Sequence, residues 1–289
     1  MNPQKKLFII GTGPGSPEHL TISATEAIRY SDVIVGYKPY IEQLGPLVDG
    51  KRLVSSGMTR EIERCRAAVE LARSGENTAL VSGGDAGIYG MAGLVLELLH
   101  SEGDTGLDVT VIPGISAFQA AASRLGAPIM HDSAIISLSD LLTPWELIAR
   151  RIEAAASADF VISLYNPKSR QRTGQLAEAC RIIASHRPLS TPVGIVKNAC
   201  RAEERITVST LSDLHDADVD MSTVVIIGNS STFVDARGRM VTPRGYAGKG
   251  AFGSQGPGDG DQGPERPKRT GAFLVVGTAF RGRTPTVTA

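Results

Sequence analysis

The sequence predicts an α/β protein with two α/β domains that meet at a cleft. Two observations carry this prediction: apolar strand-like runs alternate with helical segments, and three of these runs are followed by glycine-rich loops. In an open parallel sheet, the loops that follow the strands collect at the carboxyl edge, where small ligands bind. We therefore expect a ligand site built largely from backbone, from the loops Gly11–Gly15, Ser82–Gly87 and Pro113–Ala117.

The first half of the chain predicts a parallel sheet with helices between its strands. Helical periodicity is clear in residues 61–74, where Ile62, Cys65, Val69 and Ala72 fall on one face. The predicted strands are 7–10, 32–35, 78–81 and 109–112, and the predicted helices are 21–31, 61–74, 94–100 and a segment that ends at Leu125.

The second half predicts a mixed sheet. Residues 193–198 and 205–209 are separated by a short polar turn, which is typical of an antiparallel hairpin. The remaining predicted strands are 134–139, 160–165 and 223–227, and the predicted helices are 145–155 and 173–185.

The pattern changes at two places, which gives the predicted domain organisation. A shift near residues 128–133 places an N-terminal domain at 1–127 and a C-terminal domain at 128–246. A Gly/Pro-rich tail follows at 247–289, and we expect it to be disordered because its composition cannot supply a core. An apolar run at 272–276 predicts a short strand without an assigned role.

Composition and charge argue against several classes of function. Thirty Lys and Arg residues balance thirty Asp and Glu residues, so no global charge favours nucleic acid or an anionic membrane. The three cysteines are odd in number and far apart, and the five histidines show no ligand spacing, so we expect neither a disulfide framework nor a metal site. The absence of an apolar leader or membrane-length run predicts a cytoplasmic protein without membrane contact.

The residues within the loops argue against a phosphate ligand. Gly11 and Gly13 match the start of a dinucleotide fingerprint, but Ser16 stands at the third glycine position and Pro14 removes an amide donor. Asp85 suits a cationic or hydroxyl-rich ligand, such as a sulfonium, an ammonium or a ribose. The alternative is that Asp85 caps a helix beginning near Ile88.

The three loops together resemble the tetrapyrrole (cobalamin-precorrin and siroheme) methyltransferase family. That family has G-x-G-P-G near the N-terminus, then a GGD-type loop, then P-G-[IV]-[ST]-A, and this chain has them in the same order at fitting spacing. The resemblance extends to about residue 246. Four further stretches resemble the branch that methylates precorrin-3B at ring carbon 17, namely residues 35–40, 137–146, 164–170 and 226–230.

This resemblance implies an α/β fold of the tetrapyrrole methyltransferase type, a homodimer, and S-adenosyl-L-methionine (SAM) bound in the interdomain cleft. Two departures from the family pattern matter. Ala199 stands where many relatives have glycine, and Met91 stands where the uroporphyrinogen-methylating branch has an arginine, which argues against uroporphyrinogen as substrate. The residues implied to contact SAM are Pro14, Gly83, Gly84, Asp85, Ile88, Ser116, Ala117, Asn166 and Ala199.

The resemblance also implies the reaction: methylation of precorrin-3B at carbon 17 with contraction of the macrocycle to precorrin-4, in cobalamin biosynthesis. Contraction needs a proton acceptor for a ring hydroxyl, and Asp85 and His131 are the candidates. The alternative is that Asp85 only contacts SAM and His131 is a linker residue. Basic residues near loop ends are expected to hold the substrate's carboxylates, namely Lys38, Arg60, Lys168, Arg170, Arg172 and Arg201.

Other functions stay open at this point. The substrate could be cobalt-factor III of the anaerobic route, or the chain could be another precorrin C-methyltransferase. Relatives of this fold also methylate RNA or protein, although the neutral net charge counts against RNA. A non-catalytic nucleotide-binding module is disfavoured because Pro14 and Asp85 suit phosphate poorly.

Overall fold

The first half of the chain forms a parallel five-stranded sheet, as the alternating pattern predicts. The computed structural model describes residues 6–103 and 106–246. The first-half strands are β1 (Lys6–Gly11), β2 (Val33–Tyr37), β3 (Arg52–Ser56), β4 (Thr78–Ser82) and β5 (Asp108–Ile112). Their order is β3-β2-β4-β1-β5, and all neighbouring pairs are parallel.

Helices cover both faces of this sheet. They are α1 (Ile22–Tyr30), α2 (Lys38–Glu42), α3 (Glu61–Arg73) and α4 (Met91–Ser101). The next helix, α5 (Ala117–Leu125), follows β5 but packs against strands of the second half of the chain, in a cluster with Val196 and Val224. Alternate residues of β1 point to opposite layers: Leu7 and Ile9 pack in the cluster that contains α3 and α4 residues, whereas Ile10 packs with Ile28 of α1. This alternation explains why the strand reads as a continuous apolar run, since both faces are buried.

The buried helix face predicted for residues 61–74 is only partly correct. Cys65, Val69 and Ala72 are buried as expected, but Ile62 is 55% exposed. Ile62 lies in the first turn of α3, the end of the helix that is nearer to the carboxyl edge of the sheet. Arg64 takes a buried position in the same turn.

The second half of the chain forms a mixed five-stranded sheet. Its elements are β6 (Gly126–Ala127), β7 (Ser133–Ser137), α6 (Trp145–Ser157), β8 (Val161–Tyr165), α7 (Gln175–Ala184), β9 (Pro192–Lys197), β10 (Arg205–Thr210), β11 (Thr223–Ile227), β12 (Phe233–Val234) and β13 (Met240–Val241). The order of the large sheet is β10-β9-β11-β8-β7. The pair β7 and β8 is parallel, and β9 and β10 form the predicted antiparallel hairpin.

The short strands β6, β12 and β13 make a separate three-stranded sheet. The described residues up to Gly245 form one compact unit, and the two large sheets occupy its two halves. A domain boundary between residues 127 and 128 stays a prediction. The tail 247–289 and its predicted strand at 272–276 lie outside the described residues.

Candidate functional site

The first two glycine loops are joined by a backbone bridge. Because β4, β1 and β5 are neighbours, the loops that follow them meet at one edge of the sheet. The amide of Gly13 donates to the carbonyl of Gly84 at 3.0 Å, and the amide of Gly84 donates to the carbonyl of Gly13 at 2.7 Å. Both glycines have a φ near +70°, a conformation that favours glycine. The expected convergence of the loops is thus present.

The third loop packs against the other two through bare backbone. A Cβ atom on Gly11 would lie 2.6 Å from the amide nitrogen of Gly114 and 2.7 Å from the carbonyl oxygen of Gly84. A Cβ atom on Gly114 would lie 2.6 Å from the carbonyl carbon of Gly11. Glycine is therefore required at these positions so that the three loops can approach one another.

Asp85 fastens the second loop to the third. One carboxylate oxygen accepts a hydrogen bond from the amide of Gly87 at 2.8 Å, and the other accepts from the amide of Gly114 at 3.0 Å. Asp85 does not cap α4, because that helix begins at Met91 with Gly90 as its N-cap. A carboxylate has about four acceptor positions, so Asp85 can still accept from a ligand.

Ser116 caps α5 in the third loop. Its hydroxyl donates to the side-chain oxygen of Gln119 at 2.9 Å, and its amide donates to the same oxygen at 3.2 Å. Ser116 is almost completely buried, whereas the neighbouring Ala117 is partly exposed. The predicted ligand contact of Ser116 therefore competes with its role as a helix cap.

The carboxyl end of β8 brings the second half of the chain to the loops. The amide of Phe118, in the first turn of α5, donates to the Tyr165 hydroxyl at 2.8 Å. The rings of Tyr89 and Tyr165 lie 5.3 Å apart, and the Tyr89 hydroxyl donates to the carbonyl of Ile135 at 3.1 Å. Burial raises the pKa of both phenols, so both stay protonated near neutral pH.

Sequence reasoning did not single out Tyr89 and Tyr165 as site residues. The available signal was their position, because Tyr165 ends a buried strand and Tyr89 follows the GGD loop. Asn166, which was predicted, follows Tyr165 with a φ of +51°. Its side-chain amide donates to the Ser137 hydroxyl at 2.9 Å, which places it at the same edge.

Two of the basic residues predicted to bind the substrate donate hydrogen bonds to backbone carbonyls of the site. Arg172 is buried and donates from Nη2 to the carbonyl of Asn166 at 2.8 Å. Arg201 donates from Nε to the carbonyl of Pro14 at 2.5 Å, which links the second half of the chain to the first loop. These arginines hold the predicted SAM contacts Asn166 and Pro14 in place.

The other four predicted cations are more open. Lys38 and Arg60 form exposed ion pairs with Glu42 and Glu63, which lie on the same helical segments. Exposed pairs of this kind contribute little to stability and can exchange partners. Lys168 and Arg170 are exposed as well, and no carboxylate of the described residues pairs with them, so they can meet an anionic substrate.

His131 lies away from the loops. It precedes β7, whereas the loop edge is at the other end of that strand, roughly 15 Å away along five residues. Its Nδ1 accepts a hydrogen bond from the amide of Asp132 at 2.8 Å. It lines a cavity of about 340 Å³ together with residues that include Asp159, Ser230 and Arg244. The structure thus does not bring His131 together with Asp85.

The remaining predicted contacts occupy distinct positions. Ile88 is partly exposed in the second loop, and the partly exposed Gly83 packs against the Tyr40 ring. Ala199 is buried between β9 and α5, in a cluster with Ala120 and Val196. The alanine at position 199 causes no backbone strain, because its φ is not positive. Its neighbours Asn198 and Cys200 are the residues with a positive φ.

Cys65 and Cys180 do not offer a nucleophile. All three cysteines are buried free thiols, and burial raises the pKa of Cys65 and Cys180 to about 11. A thiol with so high a pKa carries almost no reactive thiolate at neutral pH. Within residues 6–103 and 106–246, no group of His, Cys, Asp and Glu is arranged to hold a metal ion, and no helix could cross a membrane.

Comparison with known proteins places the chain among curated methyltransferases. The cobalt-factor III methyltransferase of Priestia megaterium is 53% identical over 244 residues, which cover 83% of this chain and 45% of that protein. The probable cobalt-factor III C(17)-methyltransferase of Salmonella typhimurium is 52% identical, over 83% of this chain and 99% of that protein. The precorrin-3B C(17)-methyltransferase of a Sinorhizobium species is 41% identical, over 84% and 97%. The chain thus spans less than half of the first relative and nearly all of the other two.

The solved structures agree with this placement. The crystal structure of the methyltransferase CobJ is 33% identical with a TM-score of 0.78, and the match covers 82% of this chain and 99% of that one. This likeness confirms the predicted α/β fold. The sequence model that describes tetrapyrrole (corrin/porphyrin) methylases matches residues 6–215. The chain therefore belongs to the tetrapyrrole methylase family.

Proposed function

We propose that this chain is a SAM-dependent C-methyltransferase that methylates precorrin-3B at ring carbon 17, with contraction of the macrocycle to precorrin-4. The observation that carries the proposal is the convergence of three bare-backbone loops with the end of β8, in a chain whose relatives of similar length are named as C(17)-methyltransferases. The reaction belongs to cobalamin biosynthesis.

The loops fit SAM as the methyl donor. A Cβ atom on the partly exposed Gly84 would make ordinary van der Waals contacts with the amide nitrogen of Ala117 and the Cα of Ser116, at 3.6 and 3.7 Å, so the second and third loops border a narrow space there. Asp85 places a negative charge beside that space, which suits a sulfonium or a ribose and not a phosphate. SAM supplies an electrophilic methyl group, and we assign its binding to the loop residues together with Asn166.

The chain's own contribution to the reaction is orientation and exclusion of water. Holding the methyl donor and the ring carbon in line is worth several kcal/mol of activation free energy, and a water-poor cleft favours loss of the sulfonium charge. Of the two predicted proton acceptors, only Asp85 lies at the loops, and its oxygens already hold two amides. We therefore assign Asp85 the role of positioning the loops and the donor.

A second candidate is the cobalt-bound substrate of the anaerobic route. The two relatives at 52% and 53% identity carry the name of cobalt-factor III, whereas the relative named for precorrin-3B is 41% identical. The higher identity favours cobalt-factor III as an alternative substrate of the same reaction.

Incubation of the purified chain with SAM and either precorrin-3B or cobalt-factor III tests both candidates. We expect a product one methyl group heavier, with the new methyl on carbon 17 when a ¹³C-labelled methyl donor is followed by NMR. The ratio of kcat/KM for the two substrates identifies the preferred one. Reactions without SAM are the control, and the absence of a methylated, ring-contracted species from both substrates would refute the proposal.

A further inference from the structure

Arg64 is a buried cation at the carboxyl edge of the first sheet, and its partners there are neutral. It is 6% exposed, in the first turn of α3. Its Nε donates to the Ser56 hydroxyl at 2.9 Å, and its Nη2 donates to the carbonyl of Gly57 at 2.7 Å. Among the described residues, no carboxylate forms an ion pair with it. Burial of a charge without an opposite charge is costly, so the position calls for an explanation.

The third nitrogen of the guanidinium, Nη1, lies near the end of the second glycine loop. It lies 3.9 Å from the sulfur of Met91, the residue that begins α4 directly after that loop. A thioether is a weak acceptor, so Nη1 is the least satisfied nitrogen of the three. Met91 is partly exposed and its side chain is flexible, which allows it to move aside for a better acceptor.

An aromatic pair joins the same group to the loop. The guanidinium lies 5.8 Å from the centre of the Tyr37 ring, within the range of a cation–π contact. Tyr37 packs edge-on against Tyr40, whose ring lies against Gly83. Arg64 thus contacts residues of β2, β3 and α4, next to the second glycine loop, which is predicted to bind SAM.

The guanidinium of Arg64, a residue of α3, lies beside the side chain of Met91. We propose that Arg64 binds a carboxylate of the macrocyclic substrate through Nη1 and thereby sets the register of the ring carbons above the methyl donor. This inference rests on the proposed function, because it assumes a polycarboxylate substrate in this cleft.

The test compares Arg64→Met and Arg64→Lys with a matched control, Arg187→Met. Arg187 is equally buried and also donates to neutral carbonyls, including that of Gly228, but it lies in the second half of the chain, away from the loops. We expect Arg64→Met to raise the dissociation constant of precorrin-3B or cobalt-factor III roughly tenfold or more. The SAM affinity should change less than twofold, and the lysine variant should recover part of the loss.

Salt dependence separates a charge contact from a packing role. The affinity of wild-type enzyme for the macrocycle should fall with added salt, and Arg64→Met should weaken that dependence, whereas Arg187→Met should leave it unchanged. A folded Arg64→Met variant that binds the macrocycle as tightly as the wild type would overturn the inference. The inference would also be overturned if SAM affinity fell by the same factor as macrocycle affinity and the melting temperature fell as well. If the wild-type enzyme itself forms no methylated product, the proposed function fails instead.

Discussion

At the scale of single residues, the polar side chains of the site mainly hold backbone in position. Asp85 binds two amides, Arg172 binds the carbonyl of Asn166, and Arg201 binds the carbonyl of Pro14. Each of these residues was predicted as a ligand contact. The structure adds a positioning role to each, which residue type and sequence spacing do not reveal.

The loop clamp predicts the effect of Asp85→Asn. An asparagine keeps one acceptor but turns a donor toward one of the two amides, so one of the two hydrogen bonds is lost and one donor is opposed. We expect the free energy of unfolding to fall by about 1–3 kcal/mol, together with a weaker SAM affinity. Urea denaturation and calorimetry measure the two effects.

The exposed Asp49→Asn provides the control for this substitution, since no hydrogen bond or ion pair of its carboxylate is seen within the described residues. We expect it to leave stability and SAM affinity unchanged. If Asp85→Asn instead preserves both properties while turnover falls by orders of magnitude, Asp85 is the proton acceptor and the clamp is secondary.

Only those parts of the site that are formed by contiguous motifs could be predicted from the sequence. The loops carry glycines in a recognisable order, but Tyr165 meets Phe118 across 47 residues and Arg64 meets Met91 across 27. An arginine on a helix reads as a solvated charge, because the sequence does not show which strand ends surround it. His131 was predicted from its residue type and its expected position, but the direction of β7 places it at the other edge of the sheet.

At the scale of elements, close approach of the three loops predicts the effect of Gly114→Ala. The added Cβ would overlap the carbonyl carbon of Gly11 at 2.6 Å and also clash with the carbonyl of Gly84, and these are backbone atoms that cannot rotate away. We expect a loss of about 2 kcal/mol or more in stability, as for other overpacked sites, and loss of SAM binding.

Gly93→Ala is the matched control. Gly93 lies on the exposed face of α4, and a Cβ there meets nothing within 4 Å. Alanine should therefore raise the free energy of unfolding by roughly 0.5–1 kcal/mol. Thermal and urea unfolding of both variants provide the comparison. Equal effects at the two positions would contradict the packing role of Gly114.

The strands that could be predicted were those that are buried or that adjoin a polar turn. The hairpin β9–β10 and the buried strand β4 were predicted nearly to their ends, because apolar runs and a polar turn mark them. Strand β3 was missed, since it lies at the edge of the sheet with most of its side chains exposed, including Leu53. The edge strand β10 is exposed to a similar degree, but the polar turn after β9 marks it in the sequence, and β3 has no such signal.

At the scale of the whole molecule, acid should weaken the fold through Asp220. Partial burial acts to raise the pKa of this carboxyl, but hydrogen bonds from Lys197 and Ser222 outweigh it and lower the pKa to about 2, against 3.8 for the free group. A depressed pKa contributes stability that is fully present above the unfolded value and is lost as pH falls toward the folded value.

Asp220→Asn should therefore lower the free energy of unfolding at pH 7 and lose its effect near pH 2. Because the side chain of Asp220 is 47% exposed, we expect a small difference that added salt reduces further. Chemical denaturation across this pH range, with Asp49→Asn as the control, measures it. A difference from the wild type that stays constant down to pH 2 would show that the ion pair is not its source.

The bridge between Gly13 and Gly84 also has a consequence for the order in which a newly made chain gains function. The adjacent hydrogen bond of Thr12 with Ser82 joins residues 70 positions apart. The first two glycine loops therefore cannot come together while only the first has been synthesised. Closure of long loops delays folding. A nascent chain that ends before Tyr165 would hold all three loops without the phenol that receives the start of α5, and full binding competence should emerge only after the second sheet begins to assemble.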